Sequence, residues 1–249
     1  MTVRDCCPQC HSQHYKKNGH IHNGKQNHRC KRCDRQFVLE TDNRLVTAAD
    51  RALVERLLRE RLSLRGICRA VGVSLTWLLD FIVDCYEAAP DDLNVHLPEQ
   101  PDQVIVQRLE VEADETGSFV AKKTNKQWLW LALDAHTRQV IAFPIGDRSR
   151  KSARKLWKRI PPLYRDHAVF QTDGYCVYED VIPAAQHQVI SKKTRKTNHV
   201  ERFNCTLRQR VSRLVRATLS FSKTLDNPIG AIKYFICHYN LEVARALPL

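Results

Sequence analysis

Two Cys-x-x-Cys pairs, Cys7-Pro-Gln-Cys10 and Cys30-Lys-Arg-Cys33, constrain this chain more than any other feature. Nineteen residues separate them. Each pair has the spacing of a zinc knuckle, and together they offer four soft thiolates, the donor set that suits tetrahedral Zn²⁺. Residues 1–40 are otherwise polar and cannot bury enough apolar surface to fold unaided, so structural zinc would supply the folding energy. Cys6, His11, His14, His20, His22 and His28 remain as spare donors. The chain has ten cysteines, which alone would also suit a secreted disulfide scaffold. Their grouping in Cys-x-x-Cys units, and an N-terminus (MTVRDCCPQC) without an apolar signal core, point instead to a reducing compartment.

Charge narrows the partner. Lys and Arg number 40 against 27 acids, a net +13. A chain this basic meets a polyanion, most often nucleic acid, although a merely basic surface gives the same count. Lys16, Lys17, Lys25, Arg29, Lys31, Arg32 and Arg35 surround the cysteines and would face phosphate in such a complex. The alternative for this cluster is the solvated face of an oligomerisation module. No stretch approaches the roughly 18 apolar residues of a membrane span. The expectation is a prokaryotic, cytoplasmic, nucleoid-associated protein with no membrane partner.

Three grammars follow one another along the chain. Residues 1–40 form the metal module, 45–88 show helical periodicity, 89–102 read as a linker, and 103–249 form an α/β domain. In the last, Val104–Val120 reads as one strand, or two with a turn at Gly117. Trp128–Asp134 and Gln139–Ile145 read as a hairpin around Ala135-His136-Thr137. Ser149–Ile160 is a basic amphipathic helix, Ala168–Thr172 a short buried strand and Gln188–Ser191 a further one. Three consecutive strands, a helix and another strand suit a mixed sheet of the ribonuclease H-like kind.

Within 45–88, Thr47–Glu60 reads as a first helix. Leu64, Ile67, Cys68 and Val71 then share one helical face, Gly72 permits a tight turn, and Ser74 is a good N-cap. The next helix, Leu75–Tyr86, would bury Leu75, Leu78, Leu79 and Ile82 and turn Thr76, Trp77 and Asp80 outward. This is a helix-turn-helix layout, in which the second helix enters the DNA major groove. An ordinary helical hairpin is the competing reading, because Asp80 and Asp84 lie on a recognition helix without Lys or Arg. Arg65 and Arg69 would then supply much of the backbone contact, with Ser74, Thr76 and Trp77 at the groove.

Basic chemistry on phosphodiesters uses divalent ions held by acids. Asp114 lies toward the end of one expected strand and Asp173 at the end of another. Between Gln186 and Lys223 there are ten Lys/Arg residues and one acid, Glu201. A lone carboxylate in that field suits a metal ligand, or alternatively a salt bridge. Val200, Phe203, Leu207, Val211 and Leu214 recur at helical spacing as a buried face, so Glu201 and Arg208 share the adjoining one. Glu112, Glu115 and Asp147 lie close to these motifs without a role, and Asp134 reads as a hairpin-turn residue.

Several segments together carry a family resemblance. They are Asn125-Lys126-Gln127-Trp128-Leu129-Trp130, Gly146-Asp147-Arg148-Ser149, Thr172-Asp173-Gly174-Tyr175 and Val200-Glu201-Arg202-Phe203-Asn204 through Leu207-Arg208. Leu219-Ser220-Phe221-Ser222-Lys223 and Ile229-Gly230 follow. In this order they resemble transposases of the bacterial insertion-sequence-one family, of the Asp-Asp-Glu group. The resemblance implies a ribonuclease H-like catalytic domain holding two Mg²⁺ or Mn²⁺ ions through Asp114, Asp173 and Glu201, with Arg208 as the basic residue seven after the glutamate. Thr116-Gly117 stand where the family has an aromatic, which leaves Glu115 as a competing first ligand. The implied activity is binding of an element's terminal inverted repeats, cleavage to 3′-hydroxyls and strand transfer into target double-stranded DNA, by a homo-oligomer. Lys192, Lys193, Arg195, Lys196 and Arg202 would contact that DNA. The other two readings are a catalytically inactive repressor and a nuclease or resolvase on the same fold.

Overall fold

The computed structural model describes residues 2–3, 5–41, 46–97, 110–119, 126–190, 198–211 and 226–246. Lys192, Lys193, Arg195 and Lys196 lie outside the described residues. The chain divides into two compact units, residues 1–54 and 55–249. Among the described residues no single helix is long and apolar enough to cross a membrane.

The first unit is built on hairpins. Strand β1 (Thr2–Val3) will pair with β5 (Glu40–Thr41), and β2 (Tyr15–His20), β3 (Gln26–Cys30) and β4 (Gln36–Val38) form a three-stranded antiparallel sheet. Its buried hydrophobic core is Cys7, Cys30 and Phe37, with Cys10, Tyr15, Cys33 and Leu39 packed against them. So small a core stabilises little by burial, which agrees with the need for a metal. Helix α1 (Ala48–Leu57) begins with a reciprocal cap, in which Thr47 N donates to Asp50 Oδ2 and Asp50 N donates to Thr47 Oγ1.

The second unit opens with α2 (Leu64–Val71) and α3 (Leu75–Glu87), bent 110° from one another. Ser63 caps α2 by accepting from Gly66 N, and Ser74 caps α3 by accepting from Trp77 N. Between them Gly72 takes the left-handed conformation, φ 75°, and returns its amide to Cys68 O. Leu78, Phe81 and Ile82 form the buried face of α3. Leu75 and Leu79, expected inside, are 38% and 43% exposed. The true face is centred nearer Phe81, on which Trp77 stacks at 4.9 Å, so Trp77 is half-buried rather than outward.

The mixed sheet runs β11-β10-β6-β7-β8, with β9 also on β7. Its strands are β6 (Glu110–Phe119), β7 (Lys126–Asp134), β8 (Val140–Ala142), β9 (Ile145–Gly146), β10 (Val169–Thr172) and β11 (His187–Val189). Strand β6 is parallel to β10 and antiparallel to β7. Of the two alternatives at Gly117, the single strand holds over the described residues: Gly117 pairs with Trp128 inside an uninterrupted strand. A long partner strand overrides the local flexibility of one glycine.

Strand β7 is apolar almost throughout because both its faces are covered. Leu129, Leu131 and Leu133 pack with Val200, Phe203 and Leu207 of α6 (Asn198–Arg210) and with Ile232, Phe235 and Ile236 of α7 (Asp226–Ala246). Trp130 and Ala132 face the other way, onto α4 (Arg150–Arg159) and α5 (Pro162–His167) through Ala153, Leu156 and Tyr164. The β8 backbone is closed by a side chain: Asn240 Oδ1 accepts from Val140 N, and Asn240 Nδ2 donates to Val140 O.

Candidate active site and metal centre

The two cysteine pairs fold as near-copies of one turn. Cys7 N donates to Ser12 O and Cys30 N to Arg35 O, each five residues on. His11 N returns to Cys7 O and Asp34 N to Cys30 O, each four residues on. His11 and Asp34, at matching places, both have positive φ, 54° and 59°. The four Sγ atoms lie within 4.8 Å of one another, with Cys7–Cys33 and Cys10–Cys30 each at 3.5 Å.

That spacing fits four ligands about 2.3 Å from one central zinc ion. The thiols also show why a cation belongs there. Burial works to raise Cys7, yet the amides of Cys10 and Gln9 outweigh it and bring it down to about 6. The Arg35 amide pulls on Cys33 in the same way, but burial and the Cys10, Cys7 and Cys30 thiols push it up to about 12. Four crowded sulfurs cannot all ionise without a compensating positive charge.

The acidic residues gather elsewhere, where α6 crosses the sheet. Glu112 and Asp114 are two apart on β6 and so share a face. Asp114 pairs with Leu131, whose side chain is in the α6 core; Glu115 pairs with Trp130, which packs on the opposite layer. In the parallel pairing with β10, Gln171 stands opposite Glu112. Two residues farther along each chain come Asp114 and Asp173.

Glu112 is 1% exposed and has a specific partner. Its Oε2 accepts from His199 N at 3.0 Å and Val200 N at 2.9 Å, which caps the first turn of α6. One turn farther, Asn204 Nδ2 donates to Asp114 Oδ2 at 2.8 Å. Asn204 is 4% exposed, and its Oδ1 is buried without a partner among the described residues. The amide orientation is fixed chemically, since the reverse would set Oδ1 against a carboxylate. Two carboxylates of one strand therefore grip α6 at its start and its middle.

Glu201 lies three residues before Asn204 and Arg208 four after it, both exposed, so the three share one stripe of the helix. Asp173 follows the end of β10, exposed, and its Oδ1 accepts from Tyr175 N at 3.1 Å. Among the described residues only the four cysteines bring three or more candidate ligand atoms within 4.8 Å of each other. Asp114, Asp173 and Glu201 do not form such a cluster. The orphaned Asn204 Oδ1 beside Asp114 is an acceptor that suits the water shell of a hydrated divalent cation.

The neighbouring acids are structural. Asp134 is 2% exposed; its Oδ1 accepts from His136 N and Thr137 N, and its Oδ2 from the Tyr164 hydroxyl. Hydrogen bonds from the Ser149 and then the Ser152 hydroxyl hold Asp147 below the usual carboxylate range.

A family profile described as IS1 transposase matches residues 107–240, more than half of the chain. The chain belongs to the IS1 transposase family. Insertion element IS1 4 protein InsB of Escherichia coli (strain K12) is 36% identical over 130 residues, which is 51% of this chain and 75% of that protein. Insertion element IS1 protein InsB of Shigella sonnei is also 36% identical over 130 residues, covering 95% of its own length. In this IS1-family transposase the matched span contains Asp114, Asp173, Glu201, Asn204 and Arg208. The cysteine cluster and helices α2 and α3 lie before it.

The sequence reading assigned no role to Glu112 or to Asn204. Asn204 could have been given one, because it stands on the stripe that joins Glu201 to Arg208. Glu112 carried no such signal: its role depends on which helix crosses β6.

Proposed function

We propose that this IS1-family transposase cleaves the ends of its element to 3′-hydroxyls and transfers them into target DNA. The proposed catalytic domain is ribonuclease H-like, a reading supported by the mixed sheet with a central β6 between parallel β10 and antiparallel β7. Asp114, rather than Glu115, is the first ligand, since Asp114 lies on the α6 face. Asp173 and Glu201 complete the set. Two Mg²⁺ or Mn²⁺ ions bound there would activate the attacking oxygen and stabilise the leaving one. Shared between two ions, the three acids would not need to crowd around one centre.

The residues of the chain do the positioning. Glu112 fixes the start of α6, Asn204 holds Asp114 to its middle, and Glu201 projects from the turn between. Arg208, on the same stripe, reaches a phosphate next to the reacting bond. The four-cysteine module with structural Zn²⁺ and the α2–α3 pair, acting as a helix-turn-helix, bind the terminal repeats. Arg65 and Arg69 contact the backbone, while Ser74 and Thr76 lie at the groove. Two ends must be held together, so the working form is a homo-oligomer on DNA in the bacterial cytoplasm.

The observation that carries this reading is the Asn204–Asp114 hydrogen bond, one helical turn from Glu201. The test is a strand-transfer assay on oligonucleotides bearing the element ends. Glu201→Gln should abolish Mg²⁺-dependent cleavage and joining while repeat binding persists. Full joining by that variant, or wild-type binding without any cleavage, would remove the enzyme reading.

A further inference from the structure

Arg138 closes the turn between β7 and β8 in the left-handed backbone region, φ 64°. Glycine or asparagine ordinarily takes such a place, because a larger side chain is strained at positive φ. The same arginine has a second anomaly. Its Nη1 is buried and, among the described residues, donates to nothing. A guanidinium offers five donors and disfavours burial without acceptors.

Arg138 also lines a cavity of about 280 Å³, together with His199, Arg202, Thr206 and Tyr239 among others. His199, Arg202 and Thr206 follow one another at helical spacing, on the flank of α6 opposite the Glu201–Arg208 stripe. Arg138 and Arg202 bring fixed positive charge. The acid nearest His199 is Glu112, whose Oε1 is 3.9 Å from His199 Nε2 and whose Oε2 is engaged by two amides. A guanidinium fork, an imidazole and the Tyr239 hydroxyl make a donor set for a tetrahedral oxyanion, while the Thr206 hydroxyl donates to Arg202 O at 3.1 Å.

We propose that this pocket is a phosphate site, and that its occupant is a backbone phosphate of DNA held on the far side of α6 from the carboxylates. Phosphate binding as such is independent of the proposed cutting and joining; the choice of DNA as occupant rests on that reading. The strained backbone at Arg138 is then the cost of aiming a cation into the cavity.

Arg138→Gly separates the two roles, because glycine relaxes the turn while it removes the cation. The zinc-loaded full chain is titrated with a random-sequence duplex at several salt concentrations, and its thermal midpoint is read with and without inorganic phosphate. Arg138→Gly should raise the midpoint, weaken DNA binding and lower the slope of log affinity against log salt by about one. Inorganic phosphate should raise the midpoint of the wild type and not of this variant. Arg202→Gln should lower the slope similarly. Unchanged slopes in both variants overturn the DNA occupant, and an unchanged phosphate effect as well overturns the site. Should Arg138→Gly fold poorly, Arg202→Gln decides alone by the same slope. If these results hold but wild-type protein never cleaves element ends, the cutting-and-joining reading fails and the phosphate site stands.

Discussion

Glu112 Oε2 sits 2.9 Å from the backbone nitrogen of Val200, so a carboxylate buried in the central sheet forms the cap of the helix that carries Glu201. The acid also favours that helix end electrostatically, since the N-terminus bears partial positive charge. Glu112→Ala leaves two amides without their acceptor and should destabilise the chain by about 1–3 kcal/mol. Glu112→Gln keeps an acceptor oxygen and should lose less. Denaturant unfolding of the three proteins checks the order. Equal stability of all three would show that the cap contributes nothing.

Asn204 should matter for metal more than for folding. Its Nδ2 fixes Asp114, and its Oδ1 is buried without a partner among the described residues. Partners of this type affect metal affinity by about 10–100-fold. Asn204→Ala should therefore weaken Mn²⁺ binding by about tenfold, read by electron paramagnetic resonance on zinc-loaded protein. Asn204→Asp sets a second carboxylate against the first, and the pair retains a proton that the ion must displace. Its Mn²⁺ affinity should recover as pH rises, whereas that of the alanine variant should not. A shift in thermal midpoint with no change in Mn²⁺ affinity would make Asn204 a packing residue only.

Gly174 links backbone conformation to the position of Asp173. It has φ 80°, and a Cβ there would meet Val189 Cγ1 at 2.9 Å. Alanine would be strained on both counts, by about 1 kcal/mol or more from the backbone alone. Gly174→Ala should lower stability and also reduce cleavage more than repeat binding, because the displaced residue adjoins Asp173. Comparing cleavage rate with binding affinity for this variant tests the link, and normal cleavage would break it.

Regular patterns were legible in the sequence, and long-range pairings were not. The apolar run of β7, the cysteine spacing and the Ser74 N-cap depend on neighbours within a few residues, and each of those features is present in the fold. The face of α3 was misjudged at Leu75 and Leu79, because periodicity gives the width of an apolar stripe but not its centre. Gly117 was weighed as a turn when its pairing with Trp128 kept it in the strand. Glu112 acquires its role only when α6 crosses β6, and 88 positions separate it from Val200. Nothing local in either segment signals that crossing.

The cysteine cluster offers the sharpest separation of metal from fold. The first unit has three buried hydrophobic residues at its core, two of them cysteines of the cluster. Removing the ion would leave four crowded thiols and little apolar burial to hold the hairpins. Chelation of zinc, or Cys30→Ser, should therefore abolish the ordered signals of residues 5–41 in a ¹H–¹⁵N spectrum. Signals from the mixed sheet should persist, since its two cores contain none of these cysteines. Affinity should also fall, as the basic strand β2 loses its frame. Lowering the pH should release the ion, because protons compete for the same thiolates. Unchanged first-unit signals after chelation would mean that the hairpins stand without metal.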